Sequence, residues 1–244
     1  MAYKRRLALL VSGGGTTARA IIHATKNGRL PHIEPACVIC TPGSEFHKHA
    51  EREQISIDTY YFNPANDPDA FADQILTTCH KASVDLIGQY GWMPKTPRQV
   101  IDEFKDRMIN QHPGPLDPGR PHFGGQGLYG LRVHCARLYF LRAANKHGDE
   151  LWTEATAQRV AYEFDDGAVL KRKKVVVTPE DDPTTLQKRV LKVEHGVQIE
   201  TLADFSEDRV EELNRGQPLI DVEAGEDKIL ARAIHAARLV FPKG

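Results

Sequence analysis

Cysteine is scarce in this chain, and net charge is nearly absent. Four cysteines (Cys37, Cys40, Cys79, Cys135) in 244 residues are too few for a disulfide scaffold to carry a chain of this length. A formal net charge of −1 gives no global pull toward nucleic acid or an anionic membrane surface. No apolar run approaches the roughly 18 residues that a membrane-spanning helix needs. Lys4-Arg5-Arg6 before Leu7–Val11 imitates the start of a signal peptide. The apolar stretch gives way at once to Ser12-Gly13-Gly14-Gly15, so it reads as a first strand. Cys37-Val38-Ile39-Cys40 has CxxC spacing, but in a predicted strand, residues three apart face opposite sides, which speaks against redox or metal use. Repeats and low-complexity segments are lacking too. The expectation is a cytoplasmic globular enzyme, a monomer or homodimer acting on small molecules, with no nucleic-acid or membrane partner.

What is present is an alternation of strand-like and helix-like patterns through the first half. Strands are predicted at Leu7–Val11, Pro35–Cys40, Ile57–Tyr61, Val84–Gln89 and Arg107–His112. Helices are predicted between them at Thr16–Lys26, His47–Gln54, Asp69–Lys81 and Pro97–Phe104. This implies an α/β fold: a mostly parallel, doubly wound, Rossmann-like sheet with helices on both faces. The pattern breaks from Pro113 to Gly130, a Gly- and Pro-rich stretch too long to be a plain connection in a compact domain. A helix follows at Val133–Ala144. Ala155–Phe164 and Ala168–Val177 read as a hairpin about Asp165-Asp166-Gly167, and Thr184–Phe205 as a long amphipathic helix. The tail from Leu219 is predicted to hold a short strand and a helix, Asp227–Leu239. The expected organisation is one domain over 1–205 with a C-terminal extension, 206–244, packed on it.

Three stretches have the residue types of a reactive site. Asn110-Gln111-His112-Pro113 places a carboxamide and an imidazole on one face of a strand. Pro113 then ends the ladder, since it has no N–H to give. A hydrogen-bond donor beside a protonatable ring at an open strand end suits stabilisation of an oxyanion. Ser12-Gly13-Gly14-Gly15-Thr16-Thr17 lies between the first strand and first helix, where glycines admit a ligand and the helix start offers N–H groups to a phosphate. Thr16 or Thr17 is suited to cap that helix. Asp165 either bonds the backbone of its own turn or partners His112, holding the ring ready to act as an acid. Glu194, on a mostly apolar helix face, needs either a structural cation or a substrate amine. Trp92 and Met93, just past the fourth strand, are placed to line a pocket. His122, His134 and His147 form no metal-ligand spacing with an acid, so no metal is assigned. Lys171-Arg172-Lys173-Lys174 reads as a solvated strand end.

Taken together and in this order, the motifs resemble the formyltransferase family that uses 10-formyltetrahydrofolate, from about Leu7 to about Phe205. Ser12-Gly13-Gly14-Gly15-Thr16-Thr17 is similar to its S-G-x-G-[ST]-N loop. Asn110-Gln111-His112-Pro113 is its N-x-H-P. Glu163-Phe164-Asp165-Asp166-Gly167 is similar to E-L-D-G-G, and Arg189-Val190-Leu191-Lys192-Val193-Glu194-His195 to R-V-x-x-x-E-H. The resemblance implies the formyltransferase fold, whose sheet is extended by the C-terminal hairpin and long helix. It implies Asn110, His112 and Asp165 as catalytic residues, and Gly14, Gly15, Thr16 and Thr17 at the substrate phosphate. Glu194 would hold the acceptor's amine side, and Gly91, Trp92 and Met93 would line the folate pocket. The co-substrate is then 10-formyltetrahydrofolate, with no metal. The Glu194 match favours the purine-biosynthetic branch, which formylates the amine of 5-phosphoribosylglycinamide, over formyltransferases acting on nucleotide-linked amino sugars.

The chain departs from the family pattern at Pro94 (an arginine in the family), Gln158 (commonly histidine), Thr17 (asparagine) and Gly114-Pro115-Leu116-Asp117-Pro118, with a longer loop after it. A formyltetrahydrofolate hydrolase fits less well, because the first strand begins within seven residues of the start. A nucleotide-binding dehydrogenase or sensor is the reading from another class. It is weakened because Ala18 stands at the third glycine of G-x-G-x-x-G and because no acidic residue closes the second strand at Cys40.

Overall fold

The computed structural model describes residues 3–65 and 67–243. The chain folds as two compact units, Met1–Gln111 with Gln198–Val210, and His112–Val197 with Glu211–Gly244.

The first unit is built on five strands: β1 (Arg5–Val11), β2 (Ile33–Cys40), β3 (Thr59–Tyr61), β4 (Leu86–Gln89) and β5 (Met108–His112). They pair in parallel in the order β3-β2-β1-β4-β5. Leu7 to Val11 are wholly buried, which is why β1 is an unbroken apolar run rather than an alternating one. Helices α1 (Thr16–Lys26), α2 (Phe46–Arg52), α3 (Pro68–Lys81) and α4 (Arg98–Glu103) alternate with the strands. Helix α3 starts where local chemistry dictates. The Asp67 carboxylate accepts from the N–H groups of Asp69 and Ala70 at 3.0 and 2.9 Å, and Pro68 occupies the first helical position. The chain winds outward from β1 to β3, then returns to place β4 on the other side of β1. That reversal is a topological switch point, the edge at which open sheets of this kind generally bind ligands.

The second unit holds α5 (Leu131–Ala143), the antiparallel pair β6 (Trp152–Arg159) and β7 (Val169–Val176), the start of α6 (Pro183–Ser206), and α7 (Glu226–Val240). One apolar cluster joins Leu138 and Leu141 of α5 to Ala155, Ala157 and Val175 of the hairpin and to Leu186 and Val190 of α6. The other joins Val133, Ala136 and Phe140 of α5 to Leu230, Ala233 and Ala237 of α7, and it takes in Phe123 from the 113–130 segment. The basic run Lys171–Lys174 lies within β7 rather than at its end; Lys174 places its ammonium 4.6 Å from the Trp152 ring centroid.

The α/β class, the mostly parallel strands, the hairpin and the long helix agree with the sequence reading, and α1 has the predicted limits. Two expectations are corrected. Among the described residues no strand forms after Leu219: turns and bends lead from there to α7, and the nearest ladder contact is an isolated bridge between Leu213 and Val169. The Leu219 N–H goes to the Asp117 carboxylate and the Asp221 N–H to Glu226, so side chains take the donors that a ladder would need. Strand β6 stops at Arg159 rather than Phe164, because the chain leaves the sheet early and reaches Asp165 with a left-handed φ of 60°. The hairpin link is therefore a broad loop, not a tight turn. Cys37 and Cys40 are buried free thiols, and burial pushes Cys37 up to about 11, a poor thiolate for redox use.

His134 on α5 is buried with both ring nitrogens lacking partners. Burial first, and the neighbouring His112 second, push its imidazole from 6.5 down to about 3. Between those values the unfolded chain binds a proton that the folded chain refuses, so stability falls as pH drops through 6.5, at up to about 1.4 kcal/mol per pH unit. Urea unfolding at pH 7 and pH 5 should show a loss of about 2 kcal/mol from this residue. His134→Leu should flatten the dependence by that amount; an equal pH slope in the variant would contradict this assignment.

Candidate active site

The carboxyl ends of β1, β4 and β5 are level. Leu10 pairs with Gln89, and Gln89 with Asn110, so Asn110 stands at the same sheet edge as the loops after β1 and β4. Those loops are stitched together: the Ser12 N–H donates to the Gly91 carbonyl, and the Met93 N–H donates to the Ser12 hydroxyl, both at 3.1 Å. The Ser44 hydroxyl holds the Gly13 carbonyl at 2.8 Å. Gly15 precedes α1 with φ 63°, and a Cβ there would meet Phe46 at 2.7 Å, so this position demands glycine twice over. The sequence expectation of a threonine cap is not met, since no side chain caps α1 and its first turn holds no acid. Thr17 is buried, whereas Thr16 is exposed and Gly14 lies beside the His49 ring. An uncapped helix start without acids, edged by glycines, suits an anion.

In the segment after β4, Gly91 takes a positive φ. The Trp92 ring turns inward and stacks on Phe71, with centroids 6.1 Å apart and planes 8° from parallel. It is part of the core of the first unit, while Met93 is the exposed member of the pair. Gln89 and Thr96 close the base of this segment with a 2.7 Å hydrogen bond.

In the second unit the structure brings His112 and Asp165 together. His112 is buried, with Nδ1 3.5 Å from Asp165 Oδ2. Its Nε2 lies 2.7 Å from the Phe123 carbonyl. A carbonyl only accepts, so Nε2 bears hydrogen. Nδ1 is therefore the ring nitrogen that faces the Asp165 carboxylate. Asp165 is itself fixed from two sides. The buried Gln158 amide donates to Oδ1 at 2.7 Å, and the Gly125 N–H donates to Oδ2 at 2.9 Å. His122 lies next to this pair, and burial and then His112 hold its imidazole below the usual histidine range against the opposing pull of Asp165. Glu194 is buried on α6.

The Phe123 carbonyl and the Gly125 amide were not legible as site groups, because backbone atoms leave no mark on residue identity. The one available signal was Gly124 between them. A Cβ there would meet Leu116 at 2.6 Å and Asp165 at 2.7 Å, so only glycine lets the loop pass this close. Among the described residues no cluster of His, Cys, Asp or Glu is arranged to hold a metal ion.

Comparison with known proteins gives a consistent result. The formyl transferase family model matches residues 5–202. The chloroplastic phosphoribosylglycinamide formyltransferase of Arabidopsis thaliana is 27% identical over 226 residues, covering 92% of this chain and 73% of that protein. The phosphoribosylglycinamide formyltransferase of Haemophilus influenzae is 26% identical over 211 residues, covering 84% and 89%. Among solved structures, glycinamide ribonucleotide transformylase 1 from Symbiobacterium toebii superposes with a TM-score of 0.71 at 25% identity, covering 88% of this chain and 96% of that one. The parallel sheet with its switch-point loops, the buried imidazole–carboxylate pair and a match running through both place this chain in the formyl transferase family.

Proposed function

We propose that the protein transfers the formyl group of 10-formyltetrahydrofolate to the amine of 5-phosphoribosylglycinamide. The observation that carries the chemistry is the buried His112–Asp165 pair, with His112 two residues beyond Asn110 on β5. Attack of a neutral amine on a formyl carbon develops negative charge on the formyl oxygen. The Asn110 amide and the His112 Nδ1–H donate to that oxygen; Nε2–H is committed to Phe123 and serves to orient the ring. Asp165 balances the cationic ring and passes the proton shed by the attacking amine toward the departing folate nitrogen. No nucleophilic side chain is needed.

The acceptor assignment is supported by the relatives' names and by the start of α1. There Gly14, Gly15, Thr16 and Thr17 are assigned the phosphate, and Glu194 is assigned the amine side. Gly91, Trp92 and Met93 are assigned the folate side, with Met93 the member whose side chain faces solvent. Turnover of 10-formyltetrahydrofolate with 5-phosphoribosylglycinamide, its dephosphorylated analogue and a panel of nucleotide-linked amino sugars tests the reading. Activity should require the phosphate. Gly15→Ala should raise KM for the phosphorylated acceptor roughly tenfold, the loss of about 1.4 kcal/mol of binding, and leave KM for the folate unchanged. Turnover with an amino sugar alone would replace this acceptor.

A further inference from the structure

The segment beyond Val210 lies outside the residues that match the family model, yet it grips the loop that completes the His112–Asp165 centre. Arg215 pairs through both guanidinium nitrogens with the buried Glu154 carboxylate, while its Nε donates to the Leu116 carbonyl at 2.8 Å. Four residues before Leu219, whose N–H goes to the Asp117 carboxylate, this one guanidinium ties strand β6 to the loop's start. At the loop's far end, Arg238 of α7 donates to the Gln126 carbonyl at 2.8 Å. Arg132 donates to the carbonyls of Phe241 and Pro242 at 2.7 and 2.6 Å. Between these two anchors the Phe123 ring is wholly buried in the cluster formed with α7, edge-on to Phe140 at 5.3 Å. Its own carbonyl is the group that orients His112.

From this chain of contacts we infer that the carboxyl-terminal segment, through Arg215 and the Arg132–Arg238 anchor, is a positioning element for catalysis: it sets the path of residues 113–130 so that the Phe123 carbonyl meets His112 and the Gly125 amide meets Asp165. Arg215 touches no reacting atom and acts through the loop. Both anchors are made to loop backbone on at least one side, so they fix where the chain runs rather than which side chains it bears. A displacement of the order of 1 Å at a catalytic group is enough to lower a rate strongly. The activity arm of the test below rests on the formyl-transfer reading, whereas the exchange arm does not.

The test is made on the full chain. Arg215→Lys keeps a charge for Glu154, so the buried carboxylate stays paired, but an ammonium cannot reproduce the planar fork that also reaches Leu116. Arg132→Gln with Arg238→Gln loosens the other anchor without touching a buried charge. In each variant kcat should fall about tenfold, with KM for both substrates within about twofold. Amide hydrogen exchange should accelerate in residues 113–130, Gly125 included, and stay at the parent rate elsewhere. Unchanged exchange in that loop overturns the inference, as does faster exchange there with kcat intact or acceleration spread evenly over the chain. If the parent protein formylates no amine, the functional reading fails, and the exchange pattern alone decides whether the segment holds the loop.

Discussion

Replacing Asp165 with asparagine should lower kcat by about 10³-fold or more with both substrates saturating, a larger loss than that from any other conservative change in the site. The isosteric carboxamide keeps the shape of the pair and reverses its proton logic. Nε2 of His112 must stay protonated to meet the Phe123 carbonyl. An asparagine NH₂ turned toward Nδ1 would then supply a donor where Asp165 supplies an acceptor, and it would stabilise the neutral ring with Nδ1 bare. That ring has no proton to offer a developing oxyanion, and no carboxylate remains to take one from the amine. Steady-state kinetics with unfolding measured alongside checks this. Full turnover in Asp165→Asn would remove the residue from the mechanism.

His112→Ala should cost about 10²–10³-fold in kcat, the usual loss for one oxyanion donor, with little change in KM. Asp165 then loses its cationic partner but keeps the hydrogen bonds from Gln158 and Gly125, so the fold should survive. On the proposed mechanism the two residues act as one unit, so the double variant should be scarcely slower than Asp165→Asn alone. Additive losses in that cycle would show that the two side chains work independently and would contradict the proposed coupling.

Much of the first unit was legible because its signals are local. Leu7–Val11 followed by glycines, and Ala20, Ile21 and Ala24 at helical spacing, identify β1 and α1 without reference to the rest of the chain. Asn110 and His112 stood out as candidates because strand period and Pro113 restrict where such side chains can point, whereas Asp165 sat in a predicted turn and its pairing with His112 was one of two readings. Other parts depend on distant partners. Thr17 has the right chemistry for a cap, but Gly15 enters α1 in a left-handed conformation and no cap bond forms. Trp92 stands where a pocket residue would, yet Phe71 from α3 draws its ring into the core. Leu219 and Ile220 look like strand residues until Asp117, a hundred positions earlier, takes the Leu219 N–H. The Gln158 side chain was visible as a departure from the family pattern, but its role in steadying Asp165 needed the 2.7 Å contact.

The carbonyl of Phe123 that orients His112 also bears on how this part of the chain can change over generations. Every residue type presents the same carbonyl and, proline aside, the same amide, so a loop that serves a reaction through its main chain is free to exchange most of its letters. Between His112 and Leu131 residue type matters at Gly114 and Gly124, where a Cβ would meet Val133 and Asp165, at Asp117, whose carboxylate takes the Leu219 N–H, and at Phe123, whose ring is buried.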